Sequence, residues 1–88
     1  MSESLHTPEY RVLLITLAAV RERSGITQVM LAEKLGVTQS YVSKFERGER
    51  RLDLVQLRHV CKALGVGLVE FVTLFEAELK KSRSRRSG

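Results

Sequence analysis

Residues 28–45 read QVMLAEKLGVTQSYVSKF. Two short runs with helical spacing of apolar residues flank a break at Gly36-Val37-Thr38. Four positions in this stretch are constrained by packing. Ala32 is small, which lets two helices cross closely. Gly36 accepts the left-handed backbone that a tight turn requires. Val42 and Phe45 are the apolar residues of the second run that fall back on the first. The stretch therefore predicts two short helices, the second laid across the first.

The flanking sequence extends this to an all-α chain. Thr7-Pro8 matches an N-cap followed by proline at the first helical position, opening a helix that ends at Ser24-Gly25. Its inward stripe is Leu13, Leu14, Leu17, Val20 and Arg21. Val12, Ile15 and Ala19 make a second apolar side, which needs its own cover. Thr27 caps the second helix, Gln28–Leu35, and Thr38 the third, Gln39–Arg47. Asp53 caps a fourth, Leu54–Leu64, with Leu54, Leu57, Val60, Cys61 and Leu64 expected inward. A fifth is expected over Leu68–Lys80, although Gly67 makes a weak cap for it. The division that follows is a flexible segment 1–7, one domain 8–79, and a basic, disordered tail 80–88.

Charge supports that division. The 88 residues carry 15 Lys+Arg against 10 Asp+Glu. Five of the fifteen lie in KKSRSRRSG, residues 80–88, which contain no acid, so residues 1–79 balance at ten against ten. The tail alone makes the chain basic, and local clustering has to indicate a partner. Lys44, Arg47, Arg50 and Arg51 form such a cluster. One cysteine excludes an internal disulfide and favours a reducing compartment. The longest apolar stretch, Val12–Val20, is nine residues, far below the roughly 20 of a membrane span. Together these features predict a soluble cytoplasmic domain.

Alanine at the fifth position of residues 28–45, glycine at the ninth and apolar residues at the fifteenth and eighteenth form the helix-turn-helix pattern. That motif sets its second helix in the DNA major groove. The strings RERSGITQVMLAEKLGVTQSYVSKFERGER and LDLVQLRHVCKALGV resemble the phage-repressor and Cro-type helix-turn-helix family over about residues 10–75. TQSYVSKFERGERRLDLVQLRHVCKALGV is also similar to the small controller proteins of restriction–modification systems. These resemblances imply a five-helix, dimeric, sequence-specific DNA-binding regulator.

Several residues carry that expectation. Gln39, Ser40, Tyr41, Ser43 and Lys44 stand near the start of the third helix, where side chains reach base edges. Glutamine can pair bidentately with adenine, and lysine can reach guanine O6 and N7. Thr38 borders the group. Tyr41 suits a phosphate oxygen or a thymine methyl. Gln28 resembles the family's phosphate-contacting glutamine. Arg47, Arg50 and Arg51 follow as phosphate contacts, and the controller-type resemblance implies that Arg50 reaches bases. Arg21 and Glu46 match the family's internal ion pair, so Glu46 is expected to be structural. Leu68, Phe71, Val72 and Phe75 are the expected dimer surface, shared with closure of the core. Val29 and Met30 stand at positions usually charged in the family, where they either form a small exposed apolar patch or meet another protein.

Competing readings are weaker. His6 and His59 stand apart, Cys61 reads as core, and no Cys/His/Asp group has metal-ligand spacing. Catalysis, a metal and a cofactor are therefore not expected. An antitoxin that binds a toxin protein and represses its own promoter is the main alternative. With no ligand-sensing domain, no small-molecule effector is expected, and control would follow protein concentration.

Overall fold

The computed structural model describes residues 7–87, with side chains through Ser82. Five helices follow one another: α1 (Pro8–Arg23), α2 (Gln28–Leu35), α3 (Gln39–Glu46), α4 (Leu54–Leu64) and α5 (Leu68–Ser87). No strand occurs among the described residues. No helix there is long and apolar enough to cross a membrane.

The helix starts follow from local chemistry. Thr7, Thr27 and Thr38 each accept a hydrogen bond from the backbone N–H three residues on, which satisfies a donor the helix itself leaves over. At α4 the cap is reciprocal. Asp53 Oδ1 accepts from the Gln56 N–H at 2.7 Å, and Gln56 Oε1 accepts from the Asp53 N–H at 2.8 Å. The turn between α2 and α3 depends on Gly36, whose φ of 72° lies in the left-handed region.

α2 packs on α3 and α4, while α1 packs on α5 and α3. The common core is built from Leu17, Leu31, Val42, Phe45, Cys61 and Phe71, all almost completely buried. Tyr10 extends it: its hydroxyl accepts from the Leu52 N–H at 3.1 Å and ties α1 to the α3–α4 loop.

Three expectations are corrected. Leu54 is 65% exposed rather than inward. It is the first residue of α4 and lies beyond the part of the core that begins at Leu57. Phe71 is fully buried, so it is a core residue and is unavailable to a partner subunit. Residues 80–87 are helical rather than disordered. No glycine or proline interrupts the chain before Gly88, and lysine and arginine are good helix formers that suit a helix C-terminus. Lys81 also pairs with Glu78 at 3.3 Å.

Candidate nucleic-acid interface

α3 is divided lengthwise. Val42 and Phe45 are wholly buried, which fixes its orientation on α2. Gln39, Ser40, Lys44 and Arg47 are exposed on the other side, with Ser43 half-buried between them. The spacing of 39, 43 and 47 along one helical row, with 40 and 44 beside it, sets them on one face.

A chain of polar contacts runs from the interior to this face. Arg21 donates from Nε to Glu46 Oε2 at 2.6 Å and from Nη2 to Glu46 Oε1 at 3.2 Å. A third bond goes from Arg21 Nη1 to the Ile26 carbonyl at 2.8 Å. The two side chains are only 12% and 9% exposed. Glu46 Oε1 also accepts from Gln28 Nε2 at 2.9 Å, and Gln28 Oε1 accepts from Gln39 Nε2 at 3.1 Å. A buried charge pair thus anchors one glutamine, which positions a second at the surface. The Arg21–Glu46 pairing has a sequence signal, but the two glutamine links become visible only in three dimensions.

Other expected site residues serve local structure. Thr38 uses its hydroxyl to cap α3. Tyr41 is half-buried, edge-on to Phe45 at 5.8 Å between ring centroids. Its hydroxyl accepts from Gln56 Nε2 at 3.3 Å, a contact not foreseen from sequence. The Arg50 guanidinium lies 4.8 Å from the Tyr41 ring centroid, and that of Arg51 lies 4.9 Å from the Tyr10 centroid. Such stacking leaves the edge of the Arg50 guanidinium available to other partners. Arg47 is the C-cap of α3 rather than its last helical residue. It donates to Ser43 Oγ and forms two bonds with Glu49, at 2.8 and 3.1 Å. That bonding pushes the Arg47 guanidinium up and holds the Glu49 carboxyl below its usual range.

Away from this face, Cys61 is fully enclosed in the core. Burial pushes its thiol up to about 11. Among the dimer candidates Val72 is 40% exposed, while Leu68 and Phe75 are half-buried against the core. Val69, not singled out from sequence, is 80% exposed beside Val72. Val29 and Met30 are exposed as expected.

Residues 17–71 match the helix-turn-helix family. The chain belongs to that family. The control protein C.BamHI of Bacillus amyloliquefaciens is 36% identical over 62 residues, covering 67% of this chain and 76% of that protein. An XRE-family-like protein from Pseudomonas syringae pv. tomato has a solved structure with a TM-score of 0.77 and 39% identity, covering 85% of this chain and 92% of the other. The restriction–modification controller protein C.Esp1396I gives a TM-score of 0.77 at 27% identity, covering 83% of this chain and 96% of the other. The chain is thus a helix-turn-helix transcriptional regulator of the XRE type.

Proposed function

We propose that the protein binds double-stranded DNA as a homodimer on a two-fold symmetric operator and regulates transcription from it. The observation that carries this reading is the anchored glutamine pair. Gln39 spends one amide N–H on Gln28. The side-chain amide therefore keeps one N–H and one carbonyl oxygen. Adenine N7 and N6–H ask for that acceptor-and-donor match in the major groove. Gln28 spends one N–H on Glu46, and its second N–H suits a phosphate oxygen beside the start of α2.

Ser40, Ser43 and Lys44 complete the base-facing row, and Lys44 suits guanine. Arg50 and Arg51, carried by the loop after α3, suit the flanking phosphates. Arg47 joins them once it releases Glu49. Thr38 and Tyr41 act mainly by holding the start of α3. Relatives described as control and controller proteins support a regulator over a toxin-binding antitoxin.

The dimer surface we propose is the exposed apolar edge of α5, Val69 and Val72, bordered by Leu68 and Phe75. It would set the two recognition helices about 34 Å apart, one turn of DNA. Selection of bound sequences from a random DNA pool tests the whole reading. The expected result is a palindromic consensus with half-sites one helical turn apart. Recovery of no consensus would refute sequence-specific binding. For the dimer alone, sedimentation should show a two-chain species that Val72→Glu converts to monomer. A strict monomer at high micromolar concentration in the unmodified chain would end that part.

A further inference from the structure

A second set of contacts links the start of α4 to the loop that follows α3, and half-buried Gln56 begins it. Its side-chain oxygen accepts from the Asp53 N–H at 2.8 Å, while Asp53 Oδ1 accepts from the Gln56 N–H at 2.7 Å. A backbone N–H needs the amide oxygen, so the reciprocal cap decides which way round the amide lies. Nε2 is left facing Tyr41 and donates to the tyrosine hydroxyl at 3.3 Å. Phe45, itself wholly buried, holds the same ring at a second point, edge-on at 5.8 Å between centroids. Over the ring so held, 4.8 Å from its centroid, lies the guanidinium of the exposed Arg50.

Arg47 and Arg50 are held in different ways. The Glu49 carboxylate holds Arg47 through N–H groups that a phosphate would also take. A ring under Arg50 occupies the flat face of the guanidinium and not its N–H edge. Meeting a phosphate therefore requires no release of that contact. The freedom that a long side chain loses on binding is also partly given up beforehand. Both benefits depend on the ring staying in place, and Gln56 fixes its tip. We propose that Gln56 is a positioning residue for DNA binding. Through Tyr41 it holds Arg50 ready for a phosphate, without touching DNA itself. The proposal rests on the DNA-binding reading above and adds to it a residue of α4, outside the helix-turn-helix.

The test is a set of titrations of the full chain with a duplex carrying the consensus that the unmodified chain selects, repeated across several salt concentrations. Gln56→Ala and Tyr41→Phe should each weaken binding about twofold to fivefold, the worth of one exposed cation–ring contact. Combined, they should cost no more than either alone. Arg50 still reaches its phosphate in both variants, so the salt slope should stay unchanged. Arg50→Ala should weaken binding and also flatten the slope by about one phosphate contact per chain. In an Arg50→Ala background the other two changes should add nothing. Gln56→Ala removes half of the α4 cap, whereas Tyr41→Phe leaves that cap whole, so a loss shared by both does not come from the cap. A loss in Tyr41→Phe that persists without Arg50 would mean that the hydroxyl meets DNA directly, and would overturn the proposal. So would a loss confined to Gln56→Ala. One arm needs no DNA: in the free chain the Tyr41 ring should shift the Arg50 Nε–H NMR signal upfield, and Gln56→Ala and Tyr41→Phe should each move it back. A signal that ignores both changes would sink the proposal even if the chain binds DNA as read. A signal that responds, in a chain that selects no DNA consensus, would remove the DNA-binding reading and the role built on it.

Discussion

Glu46 and Arg47 are neighbours in the chain, and each makes a two-bond pair with an opposite charge. Glu46 turns inward to Arg21, with bonds of 2.6 and 3.2 Å. Arg47 turns outward to Glu49, with bonds of 2.8 and 3.1 Å. The geometry is nearly the same, but the surroundings differ. The inner pair is 12% and 9% exposed, and the outer pair 54% and 55%. Water and salt screen the outer pair, so its attraction is largely offset by the entropy of holding two long side chains together. The inner pair has given up its hydration, and each charge depends on the other. One pair therefore holds helices together, while the other is a reserve that can be exchanged for a new partner.

The inner pair should give the largest effect. Glu46→Ala leaves the Arg21 guanidinium buried with only the Ile26 carbonyl and a distant Glu22 at 3.9 Å. The expected loss is about 3–5 kcal/mol of folding stability, measured by urea unfolding. For a domain of this size that approaches the whole reserve. The loss should change little with salt. Replacing both partners by apolar residues, Arg21→Met with Glu46→Leu, should recover part of the stability, because no buried charge is then stranded. A loss below about 1 kcal/mol for Glu46→Ala would place the inner pair with surface pairs and erase the contrast.

Gln39 sits at the outer end of the contact chain that starts at the inner pair, and it separates recognition from stability. Its side chain is exposed, so Gln39→Ala should leave the unfolding midpoint unchanged. DNA affinity should fall by about 1–3 kcal/mol, with preference lost at one base position. Gln28→Ala should produce part of the same loss of preference, because Gln39 then loses its mooring. An unchanged binding consensus in Gln39→Ala would show that the anchored amide does not face the bases.

Much of this was legible in the sequence because it rests on local chemistry. The helix starts at residues 8, 28, 39, 54 and 68 follow caps and turns that a reader can place without coordinates. The Ala32, Gly36, Val42 and Phe45 spacing implied the crossing of α2 and α3. The Arg21–Glu46 pairing was accessible through the family resemblance. What remained hidden depends on distance in space. Asp53 reads as the cap of α4, but nothing nearby in sequence says that Gln56 completes that cap or that its amide reaches Tyr41. Arg50 and Arg51 read as loop cations, yet each lies over an aromatic ring. Phe71 and Val72 are adjacent and both apolar, but one closes the core and the other faces outward. Periodicity alone leaves that division open when a helix borders both a core and a surface.

Glu49 provides the smallest effect and the sharpest check on the outer pair. Glu49→Ala should leave folding stability almost unchanged. The pH dependence has a definite sign. Hydrogen bonding to Arg47 lowers the Glu49 carboxyl in the folded chain. Whatever stability the pair contributes is therefore present above the carboxyl's unfolded pKa, and is lost as pH falls through its lower folded pKa. The substitution should flatten that small acid-side slope. Its larger consequence concerns DNA. With Glu49 gone, Arg47 no longer has to leave a carboxylate to meet a phosphate. Affinity should rise, and the dependence of log affinity on log salt should steepen by up to about one phosphate contact. Titrations across several salt concentrations would measure this. A flatter salt slope in Glu49→Ala would mean that Glu49 holds Arg47 in its binding position instead of competing for it, and the outer pair would then be part of the interface.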